Sequence, residues 1–232
     1  MKKFLAVFLV IFTSSCVNEW NYEGSRGPKN WGDLKEDYKF CKIGYNQSPI
    51  DVTGEFKDSE LQFSYSNSDV EKRRVNQVMQ IEFDSRDFAM RLKKKYYVRE
   101  VQFHHPSEHL VNGNPHSLEM QVYHKNDSEQ WLVLAIFLEV GKENPEFNKL
   151  IKLLSKKEKD GKLDLSKIVN ENDKTFFYDG SLTTPPCTEG IKWYVMKTPV
   201  YVSKEQMNQI IKLGIFAKTN ARPIQAFHPE KY

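Results

Sequence analysis

The sequence predicts a single, mostly β domain with a few short helices, and three observations carry that prediction. Residues 98–105 and 118–124 alternate side-chain type with the period of two that a strand imposes. Residues 131–140 form a continuous apolar run bounded by Gln130 and Gly141, which suits a strand buried on both faces at the centre of a sheet. No internal repeat or linker divides the chain, so one domain from about residue 20 to residue 232 is the simplest organisation. The composition agrees: 232 residues, 39% hydrophobic, 13% aromatic and 28% charged, exclude intrinsic disorder, a coiled coil and a collagen-like fibre.

In chain order, the first element is an export signal. MKKFLAVFLVIFTSSC places two lysines before an apolar run and then small residues up to Cys16, too short to span a bilayer. Residues 1–15 are expected to be a signal peptide of the lipoprotein type, with Cys16 as the lipid-bearing first mature residue; a plain cleaved signal peptide is the alternative. The expected location is the periplasm or cell surface, with Cys16 as the membrane anchor. Removing residues 1–15 takes away Lys2 and Lys3 and no acid, so 34 bases become 32 against 31 acids, a net charge of +1. Such a balance gives no footprint for nucleic acid. In an oxidising compartment the two remaining cysteines, Cys41 and Cys187, are a candidate pair, with two buried free thiols as the other possibility.

Residues 22–44 lack a sustained period and read as an ordered arm held by Trp20 and Trp31. In the first strand Val98, Glu100, Gln102 and His104 share one face, and Arg99, Val101, Phe103 and His105 the other. In the second, Glu119, Gln121 and Tyr123 oppose Leu118, Met120, Val122 and His124. Polar residues at alternate positions in two nearby strands suggest the floor of a polar cavity. Helices are predicted at 145–154 and at 203–216, the second opened by Ser203 with Gln206 three positions on. The charged run 155–162 reads as a solvated turn, and 191–202 as a strand interrupted by Pro199.

Several longer motifs then fall in one order. They are Trp20-x-Tyr22-x-Gly24 with Gly27-Pro28-x-x-Trp31, and Cys41-x-x-Gly44-x-x-Gln47-Ser48-Pro49-Ile50-Asp51. Later come Phe103-His104-x-Pro106-Ser107-Glu108-His109, the run from Asp179 through Ser181-Leu182-Thr183-Thr184-Pro185-Pro186-Cys187 to Gly190, and Arg222-Pro223-x-Gln225. In these motifs the chain resembles the α-class carbonic anhydrases in their bacterial exported form. The resemblance implies a large, twisted, mainly antiparallel sheet with an active-site cone, a Cys41–Cys187 disulfide, and cis bonds at Ser48-Pro49 and Pro185-Pro186.

The family's chemistry needs three neutral imidazoles around zinc and a fourth position for water, whose pKa then falls to about 7. Aligned on the family's motifs, the ligand positions are Gln102, His104 and Gln121, so two of the three are glutamine. Zinc prefers nitrogen, thiolate or carboxylate donors, and two amides with one imidazole would make a weak site. The amides instead suit a metal-free hydrogen-bonded floor, with Glu119 accepting from Gln121 and Glu100 from Gln102. The family's proton-shuttle position falls on Gln77, whose amide cannot take up and release a proton at neutral pH. Tyr123 replaces a small aliphatic residue of the carbon dioxide pocket. Glu108 and Thr183, which orient the zinc-bound hydroxide in the family, are retained and expected to hydrogen-bond to each other. Val133, Leu182, Thr184 and Trp193 of the pocket wall are also retained. His109 and His124 match structural positions, while His116 and His228 are expected at the surface.

These residues imply an exported carbonic-anhydrase-like protein without cofactor and without zinc-dependent hydration, serving as a binding or docking scaffold for a protein or small molecule. One alternative is an active carbonic anhydrase converting carbon dioxide to bicarbonate at an atypical zinc site. Another is a surface adhesin, since some family relatives without full ligand sets act as binding proteins.

Overall fold

The computed structural model describes residues 19–76, 78–156, 159–214 and 218–228. The predicted signal peptide, Cys16 and Gln77 lie outside the described residues. The strands are β1 (Asp51–Val52), β2 (Lys57–Asp58), β3 (Gln62–Ser64), β4 (Asn67–Val75), β5 (Val78–Asp84), β6 (Phe88–Arg91), β7 (Lys94–His104), β8 (Leu110–Val111), β9 (Asn114–Pro115), β10 (Leu118–Lys125), β11 (Trp131–Val140), β12 (Asp160–Asp164), β13 (Lys174–Ser181), β14 (Glu189–Met196) and β15 (Val200–Val202). Among the described residues four α-helices accompany them: α1 (Trp31–Leu34), α2 (Phe40–Ile43), α3 (Pro145–Ser155) and α4 (Lys204–Gly214).

Among the described residues twelve strands form one sheet whose main path runs β12-β4-β5-β7-β10-β11-β14-β13-β2. Its neighbours are antiparallel except where β14 and β15 run parallel to β11. Pro199 is why 191–202 becomes two strands: it has no N–H for the ladder, so β14 and β15 pair with β11 on either side of it. β11 earns its apolar run by facing two cores. Leu132, Leu134, Ile136 and Leu138 pack with Phe147 and Leu150 of α3 and Met207 and Ile210 of α4. Val133, Ala135 and Phe137 pack on the opposite face with Tyr123, Tyr178 and Trp193.

The helices start where their caps predict. The Asn144 side chain accepts from Glu146 N at 3.0 Å ahead of Pro145. Ser203 Oγ accepts from Gln206 N at 3.1 Å while Gln206 Oε1 accepts from Ser203 N at 3.0 Å, a reciprocal capping box. The arm over residues 22–44 closes on a cluster of Trp20, Tyr22 and Trp31, whose rings meet edge to face at 5.4 to 5.7 Å. Cys41 and Cys187 form the disulfide, joining α2 to the loop before β14. Ser48-Pro49 and Pro185-Pro186 are cis, as is His105-Pro106.

Two expectations need correction. Val98 does not share the face of Glu100: the register of β7 against β10 shifts between Tyr123 and His124, so Val98 opposes His124 while Glu100 opposes Tyr123. The extra residue is Arg99, and this bulge sends Val98 into the same core as Val101 and Phe103. The charged run 155–162 is not all turn either. Asp160, Gly161 and Lys162 open β12, which pairs with β4 at the sheet edge, where backbone bonds form without an apolar pattern.

Candidate functional site

The β7–β10 register sets the site. Gln102 lies opposite Gln121, His104 opposite Glu119 and Glu100 opposite Tyr123, all on the face away from α3 and α4. His104 Nδ1 lies 2.8 Å from the Asn220 carbonyl oxygen, which can only accept, so the ring proton is on Nδ1. Its Nε2 is therefore a bare lone pair, buried and without a hydrogen-bond partner. Gln102 donates from Nε2 to Glu100 Oε1 at 2.5 Å, leaving its own buried Oε1 unpartnered.

Gln121 is fully engaged. Its Nε2 donates to Glu108 Oε2 and to Glu119 Oε1, each at 2.8 Å, and its Oε1 accepts from the Tyr123 hydroxyl at 2.7 Å. Glu119 also accepts from the backbone of Glu108 and His109 and lies 2.8 Å from His109 Nδ1. Glu108 Oε1 accepts from Arg222 N at 2.8 Å. The expected bond between Glu108 and Thr183 is absent: Gln121 has taken Glu108 Oε2, and the buried Thr183 Oγ1 lies near Tyr123 without a partner at hydrogen-bonding geometry.

Zinc, which the family resemblance implies, does not fit this set. The three positions offer one imidazole lone pair, one amide oxygen, and a second amide oxygen already holding the Tyr123 proton, where a tetrahedral hydratase site uses three nitrogens. Among the described residues no three His, Cys, Asp or Glu side chains form another metal-binding group.

A family model described as eukaryotic-type carbonic anhydrase matches residues 26–230. The chain belongs to the α-carbonic anhydrase family. A carbonic anhydrase of Klebsiella pneumoniae is 34% identical over 218 residues, covering 90% of this chain and 87% of that protein. The solved α-carbonic anhydrase from Thermovibrio ammonificans, in complex with the inhibitor sulfanilamide, is 35% identical with a TM-score of 0.80, covering 89% of this chain and 95% of that one. A crystal structure of dioscorin complexed with ascorbate is 29% identical with a TM-score of 0.81, over 89% and 93% of the two chains.

Within that family frame, the cone of this chain is a cavity of about 230 Å³. Gln102, Glu100, Gln80, Tyr123 and Trp131 line it from the sheet, and Trp20, Leu182 and Thr184 line it from elsewhere. Val133 and Trp193, expected in its wall, are fully buried in the core with Tyr123, whose ring meets Trp193 edge to face at 6.4 Å. Three residues escaped sequence reasoning. Asn220 fixes the His104 tautomer across a separation of 116 residues, and its side chain bonds Phe103 O and His105 N. Arg222, noted only as part of a motif, is buried and donates to Ser48 O and Cys41 O. Trp20, expected only to hold the arm, lines the cavity. His116 is half-buried rather than at the surface, 2.9 Å from Glu139 and stacked on Phe137 at 4.1 Å, because the turn at 112–115 folds it back onto β11. His228 is likewise half-buried and stacks on Tyr45.

Two buried groups tie stability to pH. Burial pushes His124 down to about 4; its Nδ1 donates to Leu132 O and its Nε2 accepts from Tyr65. Burial alone would raise Glu119, but attraction and hydrogen bonds from His109, with the Gln121 amide, bring it to about 2. The unfolded chain protonates His124 near 6.5, so between there and 4 it binds the proton the native state refuses, and stability falls as pH falls. Glu119 acts the same way lower down: its contribution is complete above about 4.5 and fades toward 2. Each gap corresponds to about 3 kcal/mol. Urea midpoints should therefore decline from pH 7 to pH 4.5, and His124→Gln should flatten that limb while leaving the decline at lower pH. A wild-type midpoint constant from pH 7 to pH 4.5 would show that His124 does not carry the effect.

Proposed function

We propose that this carbonic anhydrase family member has lost zinc-dependent hydration of carbon dioxide and uses its cone as a binding pocket, the fold acting as scaffold. The observation that carries this reading is the state of Gln121. Both its amide protons are held by carboxylates, and its oxygen holds the Tyr123 hydroxyl proton. A ligand position occupied in this way is a satisfied network, and breaking it to free the oxygen for a metal would strand buried polar groups. Tyr123 supports the same reading, since burial, with the nearby Glu108 and Glu100 carboxylates, holds its hydroxyl well above the ordinary phenol range and keeps it a donor. The dioscorin neighbour, solved with ascorbate, is a precedent for small-molecule binding on this fold.

The test is metal analysis joined to stopped-flow hydration on the wild-type protein. After dialysis against a mild chelator the chain should retain no zinc and should not raise the hydration rate above that of buffer. Stoichiometric retained zinc, with a hydration rate that a strong chelator abolishes, would establish the active enzyme instead.

A further inference from the structure

The open face of the sheet carries an acidic ladder that ends inside the cone. Asp160 pairs with Glu71, Glu71 with Glu82, and Glu82 with Glu100, so four carboxylates stand in cross-strand register on the face that also bears Gln102. With strands about 4.8 Å apart, the row spans roughly 14 Å. Asp69 and Asp84 oppose each other in the next row of the same face. Like charges directly opposite each other destabilise a sheet, and the bases that answer this group are Arg73, 2.6 Å from Glu82, and Lys162, 2.7 Å from Asp69.

At the inner end Glu100 is underused. Its Oε1 accepts from Gln102 Nε2 at 2.5 Å and Gln80 Nε2 at 3.3 Å, while no described residue donates to its Oε2. Gln102, only 4% exposed, lines the cavity, and its Oε1 is buried and unpartnered. No Lys, Arg or His lines the cavity among the described residues, whereas Trp20, Trp131 and Tyr123 do. Lys125 Nζ already sits 5.0 Å over the Trp131 ring, so this aromatic wall holds a cation on one side.

We propose that the cone binds an organic cation with an alkylammonium or guanidinium head, seated on Glu100 Oε2 beside the aromatic wall, with the buried Gln102 amide, its Oε1 unpartnered, holding Glu100 from behind. The proposal rests on the reading that no zinc dication occupies the cone. A cavity of about 230 Å³ falls below the usual range for drug-sized ligands, so the head and a few carbons fill it. Beyond the mouth, the ladder attracts further positive charge and raises the local concentration of cations. Anions, ascorbate included, meet the Glu100 carboxylate in a cavity whose described lining holds no Lys, Arg or His, and are disfavoured.

Calorimetric titration with n-butylammonium, n-butylguanidinium and 1,4-diaminobutane tests this, with ascorbate and bicarbonate as anionic controls and zinc content measured on the same sample. The amines should saturate one site, the diamine more tightly, and neither anion should compete. Glu100→Gln should weaken all the cations roughly tenfold or more, as expected for loss of a charge-assisted hydrogen bond. Glu71→Gln, an exposed change, should remove the advantage of the diamine and leave n-butylammonium unchanged. Unaltered amine affinity in a Glu100→Gln protein with a wild-type melting temperature would overturn the inference, as would tighter binding of ascorbate than of the amines. A metal-free sample that binds no amine would sink this inference alone; a sample carrying stoichiometric zinc would sink it together with the proposed loss of hydration.

Discussion

Replacing Gln102 and Gln121 by histidine should create a tight zinc site, with the double variant keeping one zinc per chain through dialysis that strips the wild type. Three features of the cone are already in place for it. The Asn220 carbonyl holds the His104 proton on Nδ1, so Nε2 is free to ligate. Residues 102 and 121 are direct cross-strand partners, so both new rings would project from one face beside His104. Glu119 accepts from Gln121 Nε2 at 2.8 Å and can orient a ring at that position in the same way. At free zinc a thousandfold above Kd, linkage adds about 4 kcal/mol to stability. For a domain of this size that raises Tm by roughly 10 °C. Hydration should recover less in the double variant than in the triple variant with Tyr123→Val, because the Tyr123 hydroxyl points at position 121 from 2.7 Å. Freed from the Gln121 amide, Glu108 Oε2 also becomes available to Thr183. A double variant that is folded yet retains no zinc would show that the cone lacks the family's ligand geometry.

Much of this site was legible in the sequence because strand periodicity and the Pro106-Ser107-Glu108-His109 anchor together determine a register. The family resemblance puts the ligand positions on Gln102, His104 and Gln121, and because a one-residue slip exchanges the faces, strand alternation then keeps all three on one face. The partnerships of Gln102 with Glu100 and Gln121 with Glu119 were legible for the same reason, each pair being two residues apart on one strand face. What escaped was non-local. The Arg99 bulge has no glycine or proline to announce it. β12 is a charged edge strand whose residues read as turn. Whether Thr183 or Gln121 holds Glu108 depends on which donor competes better for one oxygen, a property of the assembled network and not of either residue. The acidic ladder was equally hidden, because Asp160, Glu71, Glu82 and Glu100 come together only through the order of four strands.

Replacing both Cys41 and Cys187 by serine should lower stability by about 3–5 kcal/mol and loosen the cone before the sheet. The bond closes a loop of 146 residues, for which chain entropy gives roughly 5 kcal/mol as an upper figure. Its position decides what is lost first. Cys187 is buried against Trp20, Tyr22 and Trp31, the cluster that holds the arm, and its carbonyl accepts from Gln47 Nε2 at 3.0 Å. Arg222 donates to Cys41 O at 3.1 Å and to Ser48 O at 2.7 Å, while its backbone N–H holds Glu108. The disulfide thus ties the arm carrying Trp20 to the loop carrying Thr183 and Thr184, both near the cavity. The central strands β7, β10 and β11 are held instead by their own ladders and by the core under α3 and α4. Hydrogen exchange should therefore accelerate over residues 19–44 and 182–190 at denaturant concentrations where 118–140 stay protected, and the urea midpoint should fall with it. A serine variant with the wild-type midpoint would place the stability of the arm in its aromatic cluster, which buries the same tryptophans whether or not the sulfurs are joined.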